Sequence, residues 1–194
     1  MHPFRKYISS YSHLDNDEWQ QIEKHLTRIE YQKGDMVLTN GKVCDKLYFL
    51  ENGFLRFFLW KDGMSVTKFF TESPYCFTSQ KSFTDSVPTE DNIETLHHSV
   101  IWEMSKSNAF DLLKFFSWSE FVRKLIQEVQ FFTEQILEEI QNKTAEERYH
   151  KMIEGEDSIL TKAPLKDIAS YLGIAPQSLS RIRKKYFEEK RKLT

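Results

Sequence analysis

Cysteine is scarce: the 194 residues contain only Cys44 and Cys76, and no Cys-x-x-Cys pair. Two thiols exclude a disulfide framework and fall short of the roughly four ligands of an iron–sulfur centre. Both are expected to be small buried hydrophobes. Long apolar runs are missing too, and nothing approaches the ~20 residues of a membrane-spanning helix. The opening Met1-His2-Pro3-Phe4-Arg5-Lys6 lacks the apolar stretch of a secretory signal. The expected location is the cytoplasm, with no membrane partner. Signatures of catalysis are equally absent, with no Walker or Rossmann glycine loop and no Gly-x-Ser-x-Gly nucleophile turn. His97 and His98 are adjacent, so on a strand they point to opposite faces and cannot form the His-x-His pattern of barrel metalloenzymes. No catalytic residue, metal ligand or cofactor is assigned, and an enzyme is not expected. Haem held by one of these histidines is the one cofactor left open.

Charge is unevenly placed. The net value is −2, yet from Thr161 onward nine basic residues face three acidic ones, a balance of +6, which leaves −8 on the rest. An acidic body with a basic end suggests that the end meets a polyanion.

Residues 1 to about 28 read as helical: Leu14, Trp19, Ile22 and Leu26 recur at helical spacing, with Asp15 or Asn16 placed to cap. From Ile29 to Met104 the pattern changes to short strands, such as 46–50, 54–60 and 65–70. Lys33-Gly34-Asp35, Asn40-Gly41, Asn52-Gly53 and Asp62-Gly63 separate them, the last two being dipeptides that tight primed turns prefer. That spacing predicts an antiparallel sandwich or barrel. From Ser105 the chain turns helical. Trp118, Val122, Leu125, Val129, Phe132, Ile136 and Ile140 recur three or four residues apart, close to a heptad. Phe121, Ile126, Phe131 and Leu137 lie off that seam. A helix with two apolar faces can pack on its own domain and on a second copy, and the seam Val122, Leu125, Val129, Phe132 and Ile136 is assigned to a two-fold dimer. Thr144-Ala145-Glu146-Glu147 is a capping box that starts a new helix, making Asn142-Lys143 a candidate hinge. That helix is expected to end within Glu154-Gly155-Glu156-Asp157-Ser158.

The segment 164–185 carries the most specific pattern. Pro164 opens a helix whose inner face is Ile168, Ala169 and Leu172; Gly173 ends it in a positive-φ turn; Ile174 buries; Pro176 restarts a helix with Leu179 and Ile182 inside. Small Ala169 allows two helices to cross steeply, and the whole is the spacing of a helix-turn-helix. Its second helix would enter the major groove of double-stranded DNA, with Gln177, Ser180, Arg181 and Lys184 among the outward positions. Gln177 can pair bidentately with adenine and Arg181 with guanine. Ser178 at the helix start suits a phosphate, while Arg183, Lys184 and Lys185 add attraction to the backbone.

In these motifs the chain resembles the Crp–Fnr family, the cAMP-receptor-protein-like regulators. The resemblance spans nearly all of it, through Lys33-Gly34-Asp35, Gly41, Tyr48-Phe49-Leu50-Glu51-Asn52-Gly53 and Asp62-Gly63 in the roll and Ile168-Ala169, Leu172-Gly173-Ile174 and Leu179-Ser180-Arg181-Ile182 at the end. It implies an α+β chain: a jelly-roll β-roll of the cyclic-nucleotide-binding type (1–117), a long dimerisation helix (118–142) and a helix-turn-helix domain (143–194). It also implies base contacts from Gln177 and Arg181, and RNA polymerase as a candidate partner. Two departures stand out. The family's phosphate cassette, Gly-Glu followed by Arg-Ser/Thr, is replaced by Thr78-Ser79, with Lys81 nearby and Glu90 and Asp91 in the second half. No arginine lies between Arg56 and Arg123. Two carboxylates would repel a cyclic phosphate, so cyclic nucleotide is not expected and any effector is an unknown small molecule. The family's C-terminal β-hairpin wing also finds no strand pattern in 188–194.

The expectation is a dimeric regulator reading an inverted-repeat operator, its two recognition helices ~34 Å apart. A signal in the roll would act through the hinge. The alternative is a β-roll binding module whose helical tail contacts protein.

Overall fold

The computed structural model describes residues 1–155 and 158–192. It opens with two helices, α1 (Pro3–Ser9) and α2 (Asn16–Glu23), instead of one helical stretch to about residue 28. Asp15 takes the capping role foreseen for it, accepting a hydrogen bond from the Glu18 amide at 2.8 Å. A strand begins directly afterwards because 27–31 pairs with 99–103, a tertiary gain that overrides local helical spacing.

The strands are β1 (Thr27–Tyr31), β2 (Met36–Leu38), β3 (Lys46–Asn52), β4 (Phe54–Lys61), β5 (Met64–Glu72) and β6 (Tyr75–Phe77); after helix α3 (Gln80–Asp85), which the strand pattern did not anticipate, come β7 (Asn92–Thr95) and β8 (Ser99–Ser105). They form two four-stranded antiparallel sheets, ordered β1-β8-β3-β6 and β2-β7-β4-β5, which make the β-roll. Asp62 and Gly63 form the expected tight turn: φ is 51° and 76°, and Lys61 pairs with Met64 across them. Asn52-Gly53 is not such a turn. β3 and β4 belong to different sheets, so this dipeptide carries the chain across the roll. Gly53 sits at φ 131°, and a Cβ there would lie 2.9 Å from the Cα of Ser99 and closer still to its Oγ.

Strand alternation sorts the core. Leu50, Leu55, Phe57, Phe77, Ile93 and Ile101 fill the space between the sheets, together with Cys44. On the other side of the first sheet, Phe49, Cys76 and Met104 meet α1, α2 and the start of the long helix. Phe4 stacks on Phe49 at 4.6 Å there. Both cysteines are thus buried, and burial pushes the Cys76 thiol well above its usual range.

Helix α4 (Lys106–Asp111) and a short 3-10 turn lead to α5 (Phe116–Asn142), followed by α6 (Ala145–Glu154), α7 (Ile159–Lys162), α8 (Leu165–Leu172) and α9 (Pro176–Lys192). Trp118, the first residue of the heptad run, is fully buried in this chain's own core and donates from Nε1 to the Ala109 carbonyl at 2.9 Å. Phe121, expected off the seam, is fully buried beside it. Both residues fall on the helix face that the first sheet covers. The capping box forms as read, Thr144 Oγ1 accepting from the Glu147 amide and the Glu147 carboxylate from the Thr144 amide. The helix it starts ends at Glu154; Glu156 and Asp157, part of the stretch expected to terminate it, lie outside the described residues.

A small core of Tyr149, Met152, Ile168, Ala169, Leu172 and Leu179 holds α6, α8 and α9 together. This unit is docked on the roll. The outer face of β4 and β5 presents Phe54 and Phe70, which with Leu96 are covered by Ile159, Ala163 and Tyr171. Among the described residues no helix is long and apolar enough to cross a membrane.

Candidate nucleic-acid interface

The helix-turn-helix is built as its spacing requires. Gly173 takes φ 73° and its amide bonds the Ser170 carbonyl at 3.1 Å, which stops α8. Ala169 and Leu179 are completely buried at the crossing, Ile168 and Leu172 nearly so, and Ile174 and Ile182 pack around them. Pro176 then starts α9, where its missing amide costs nothing.

With Leu179, Ile182 and Tyr186 turned inward, the opposite side of α9 is solvent-exposed. Gln177, Ser180, Arg181 and Lys184 lie on it, three or four residues apart, and form one face. Gln177 and Arg181 have no hydrogen-bond or ion-pair partner among the described residues. Ser180 bonds back to the Pro176 carbonyl at 3.0 Å, and Ser178 is half-buried beside the turn. Lys184 is 3.8 Å from Glu188. Lys185 departs from the group. Its Nζ is 2.9 Å from Glu146 on α6, whose carboxyl it holds below the usual range, so its charge lies over α6. Arg183 likewise turns back to Tyr149. The outward surface of α9 therefore offers an amide and a guanidinium one helical turn apart, flanked by Lys184. After Lys185 the helix runs on to Lys192, and among the described residues no strand follows it.

The residues matching the phosphate cassette are only partly brought together. Ser79 donates to Asp91 at 2.7 Å and meets the Thr89 hydroxyl at 2.8 Å; Lys68 sits 2.7 Å from the same Asp91 carboxylate. Thr78 bonds the Lys46 carbonyl at 2.9 Å and lies 3.2 Å from Cys44 Sγ. Lys81 and Glu90 are exposed and stand outside this cluster. Of the two expected carboxylates, Asp91 is bonded by Ser79 and Lys68 from within the chain, and Glu90 faces solvent.

The seam residues assigned to a partner have neighbours of their own. Val122 and Leu125 pack against the core beneath the first sheet. Val129 and Phe132 line a cleft of about 670 Å³ between α5 and β5–β6, opposite Phe69 and Tyr75. The more exposed row is Ile126, Leu137 and Ile140, each at least half accessible.

One group of residues was not read from the sequence. Arg56 on β4, only 4% exposed, places Nη1 2.9 Å from Glu94 and 3.2 Å from Asp167 of α8. It donates from Nε to Thr67 at 2.8 Å and from Nη2 to Ser65 at 2.9 Å. Ser170 of α8 accepts from the Thr67 amide and donates to the Ser65 carbonyl. Lys162 bonds Glu72, and His97 meets the Lys162 carbonyl at 3.0 Å. The signal was present as a lone arginine within Phe54-Leu55-Arg56-Phe57-Phe58 and an aspartate beside Ile168. His97 and His98 are both exposed, His98 lying 3.5 Å from Glu30. Among the described residues no group of three His, Cys, Asp or Glu side chains is arranged to hold a metal ion.

No protein-family profile and no curated protein sequence matches the chain. Solved structures do. A transcriptional regulator of the crp/fnr family from Eubacterium rectale superposes with TM-score 0.73 at 19% identity, over 91% of this chain and 85% of that one. FixK2 from Bradyrhizobium japonicum gives 0.70 at 17%, over 84% and 85%. CLP from Xanthomonas campestris, described as a c-di-GMP-responsive global regulator, gives 0.68 at 16%, over 90% and 93%. The chain therefore shares the fold of Crp/Fnr regulators: β-roll, long helix and C-terminal helix-turn-helix.

Proposed function

We propose that this chain is a DNA-binding transcription regulator of the Crp–Fnr type, acting as a dimer on an inverted-repeat operator. The observation that carries the reading is the exposed face of α9, where Gln177 and Arg181 stand unpartnered on a helix locked by Ala169, Gly173 and Leu179. Arg181 reads guanine and Gln177 adenine in the major groove; Ser180 and Lys184 flank them, and Ser178 lies by the phosphate nearest the helix start. Lys185 contributes less to DNA than to the α6–α9 contact, given its bond to Glu146.

The dimer forms along α5. Val122, Leu125, Val129, Phe132 and Ile136 form the heptad seam, but the exposed row Ile126, Leu137 and Ile140 gives a partner helix more free surface. The cytoplasm is the setting, RNA polymerase a candidate partner, and cyclic nucleotide not the effector.

Selection of random duplex DNA by the purified chain, at several salt concentrations, tests the reading. The expected winner is a palindrome whose base preference relaxes in Arg181→Ala, with affinity falling steeply with salt. Sequence-blind binding that Arg181→Ala leaves unchanged overturns it and favours a tail that contacts protein. For the dimer, Leu137→Glu is expected to give monomers in analytical ultracentrifugation; an intact dimer would remove α5 as the interface.

A further inference from the structure

The turn between α8 and α9 sets where the recognition helix points, and part of it is held from a third helix. The last four carbonyls of a helix have no partner within it. In α8 the Ile174 amide takes the Ala169 carbonyl at 3.0 Å, and the Gly173 amide takes that of Ser170 at 3.1 Å. The carbonyl of Leu172, a residue 1% exposed, is bonded by Arg148 of α6, whose Nη2 donates at 2.7 Å. A buried carbonyl without a donor is costly, and a cation at a helix C-terminus also meets the negative end of its dipole. This carbonyl directly precedes Gly173, where φ 73° turns the chain toward Pro176, so what fixes it fixes the point from which α9 starts.

Arg148 is itself anchored. It stands in the first turn of α6, directly after the Thr144 capping box, and its amide bonds the Thr144 carbonyl at 3.0 Å. Tyr149 and Met152 bury the same helix in the small core. The Arg148 Nε is buried and has no hydrogen-bond partner, so one edge of the guanidinium has given up water where a surface arginine would keep it. Ile136, Glu139 and Ile140, near the end of α5, line one small cavity with Arg148 and with Tyr171 of α8. Glu139 is held below the usual carboxylate range first by Lys151, and the Arg148 charge adds to that effect. The side chain thus joins the last turns of α5, across the Asn142–Lys143 break, to the turn ahead of α9.

We propose that Arg148 is a positioning residue for DNA reading: through the Leu172 carbonyl it orders the α8–α9 turn and so aims Gln177 and Arg181 at the bases. The ordering of the turn stands on these contacts alone; the consequence for DNA rests on the DNA-binding reading above. Arg148 acts through Gln177 and Arg181 and adds no base contact of its own. A misaimed recognition helix keeps its attraction to phosphates but loses its base pairs, because bidentate hydrogen bonds demand geometry and charge does not.

Two measurements on the full chain test this, with Arg148→Met removing the donors but keeping an apolar stem, and Arg148→Lys returning a cation. Amide hydrogen exchange followed by NMR needs no DNA. In Arg148→Met the Ile174 and Leu179 amides should exchange at least tenfold faster while those of the roll stay unchanged, and Arg148→Lys should recover part of the protection. Unchanged exchange at Ile174 and Leu179, or equal acceleration across α6, α8 and α9, overturns the ordering of the turn. Fluorescence anisotropy then compares the selected operator with a scrambled duplex of the same length. Arg148→Met should bind the operator at least tenfold more weakly and the scrambled duplex within twofold of the parent, with Arg148→Lys in between on the operator. In a chain already carrying Gln177→Ala and Arg181→Ala, adding Arg148→Met should change operator affinity less than threefold, because the contacts it positions are gone. A parallel loss on both duplexes, or full additivity in that background, shows mere structural support and overturns the positioning role. Should the parent select no operator, the DNA-binding reading falls, and the exchange result alone decides for or against the ordered turn.

Discussion

Replacing Arg56 should damage this protein far more than replacing the aspartate it faces. Both side chains are 4% exposed, and the guanidinium serves Glu94, Asp167, Thr67 and Ser65 at once. Arg56→Met removes the counter-charge from a buried carboxylate, a loss of about 3–5 kcal/mol for a broken buried pair. Asp167→Asn removes a charge that burial already disfavours: desolvation outweighs Arg56 and holds this carboxyl above its usual range. Arg56 keeps Glu94 and both hydroxyl acceptors in that variant, so the cost should be about 1 kcal/mol, that of one hydrogen bond. Combining the two should cost about 2 kcal/mol less than their sum, because the orphaned carboxylate no longer exists. The pH dependence has a definite sign. A carboxyl whose folded pKa is raised binds more protons in the native state than in the unfolded chain, so its contribution to stability falls as pH climbs through that interval. Removing Arg56 raises the pKa further and should steepen the fall as pH climbs above the ordinary aspartate range. Urea unfolding followed by far-UV circular dichroism measures all of this. Asp167→Asn proving as harmful as Arg56→Met, or strict additivity in the double variant, would refute the assignment of the pair as the clamp between roll and helix-turn-helix.

Other consequences are more local. Gly53→Ala places a Cβ against Ser99 at a φ that L residues rarely adopt and should lower stability by about 3 kcal/mol in the same assay; Ser99→Gly in that background should recover part of it. Glu139, held below its usual range by Lys151 and thereby linking α5 to α6, contributes stability above the unfolded carboxylate pKa that disappears as pH falls through its lower folded value; Glu139→Gln should flatten that acid limb of the stability profile. Calorimetry should find no saturable micromolar binding of cAMP, since Asp91 already accepts from Ser79 and Lys68 where a cyclic phosphate would need donors; a measured micromolar site would show that this carboxylate can be displaced.

The parts legible in the sequence were those fixed by local chemistry. Asp62-Gly63, the Thr144 capping box and the Ala169–Gly173–Leu179 geometry each depend on residues within a few positions of one another, and pattern suffices there. The Gln177 and Arg181 face follows from the same helix period. Long-range choices were not legible. Asn52-Gly53 has the composition of a hairpin turn, yet whether it closes one sheet or joins two depends on pairings with β6 and β8. The heptad on α5 could not tell its own roll from a partner, because burial on either side demands the same apolar residues; Trp118 and Phe121 both turned out to serve the roll. Lys185 reads as a phosphate contact by position, and only the approach of Glu146 from another helix redirects it.

The clamp changes where a signal would have to act. If α6 to α9 hung from α5 by the Asn142–Lys143 hinge alone, any tilt of α5 would move α9 relative to the roll. But α8 is also held to β4 and β5 by Arg56–Asp167, by Ser170 between Thr67 and Ser65, and by Tyr171 against Phe70, while Lys162 grips Glu72. Several of these contacts are buried, and β5, to which most of them run, also forms part of the wall of the cleft beside α5. The position of α9 is therefore set by the outer face of β4–β5 at least as much as by the hinge. A ligand that leaves this face intact would have little leverage on the position of α9. One that alters Thr67 acts on the strand to which the helix-turn-helix unit is held through Ser170, without passing through the Ser79–Asp91 position.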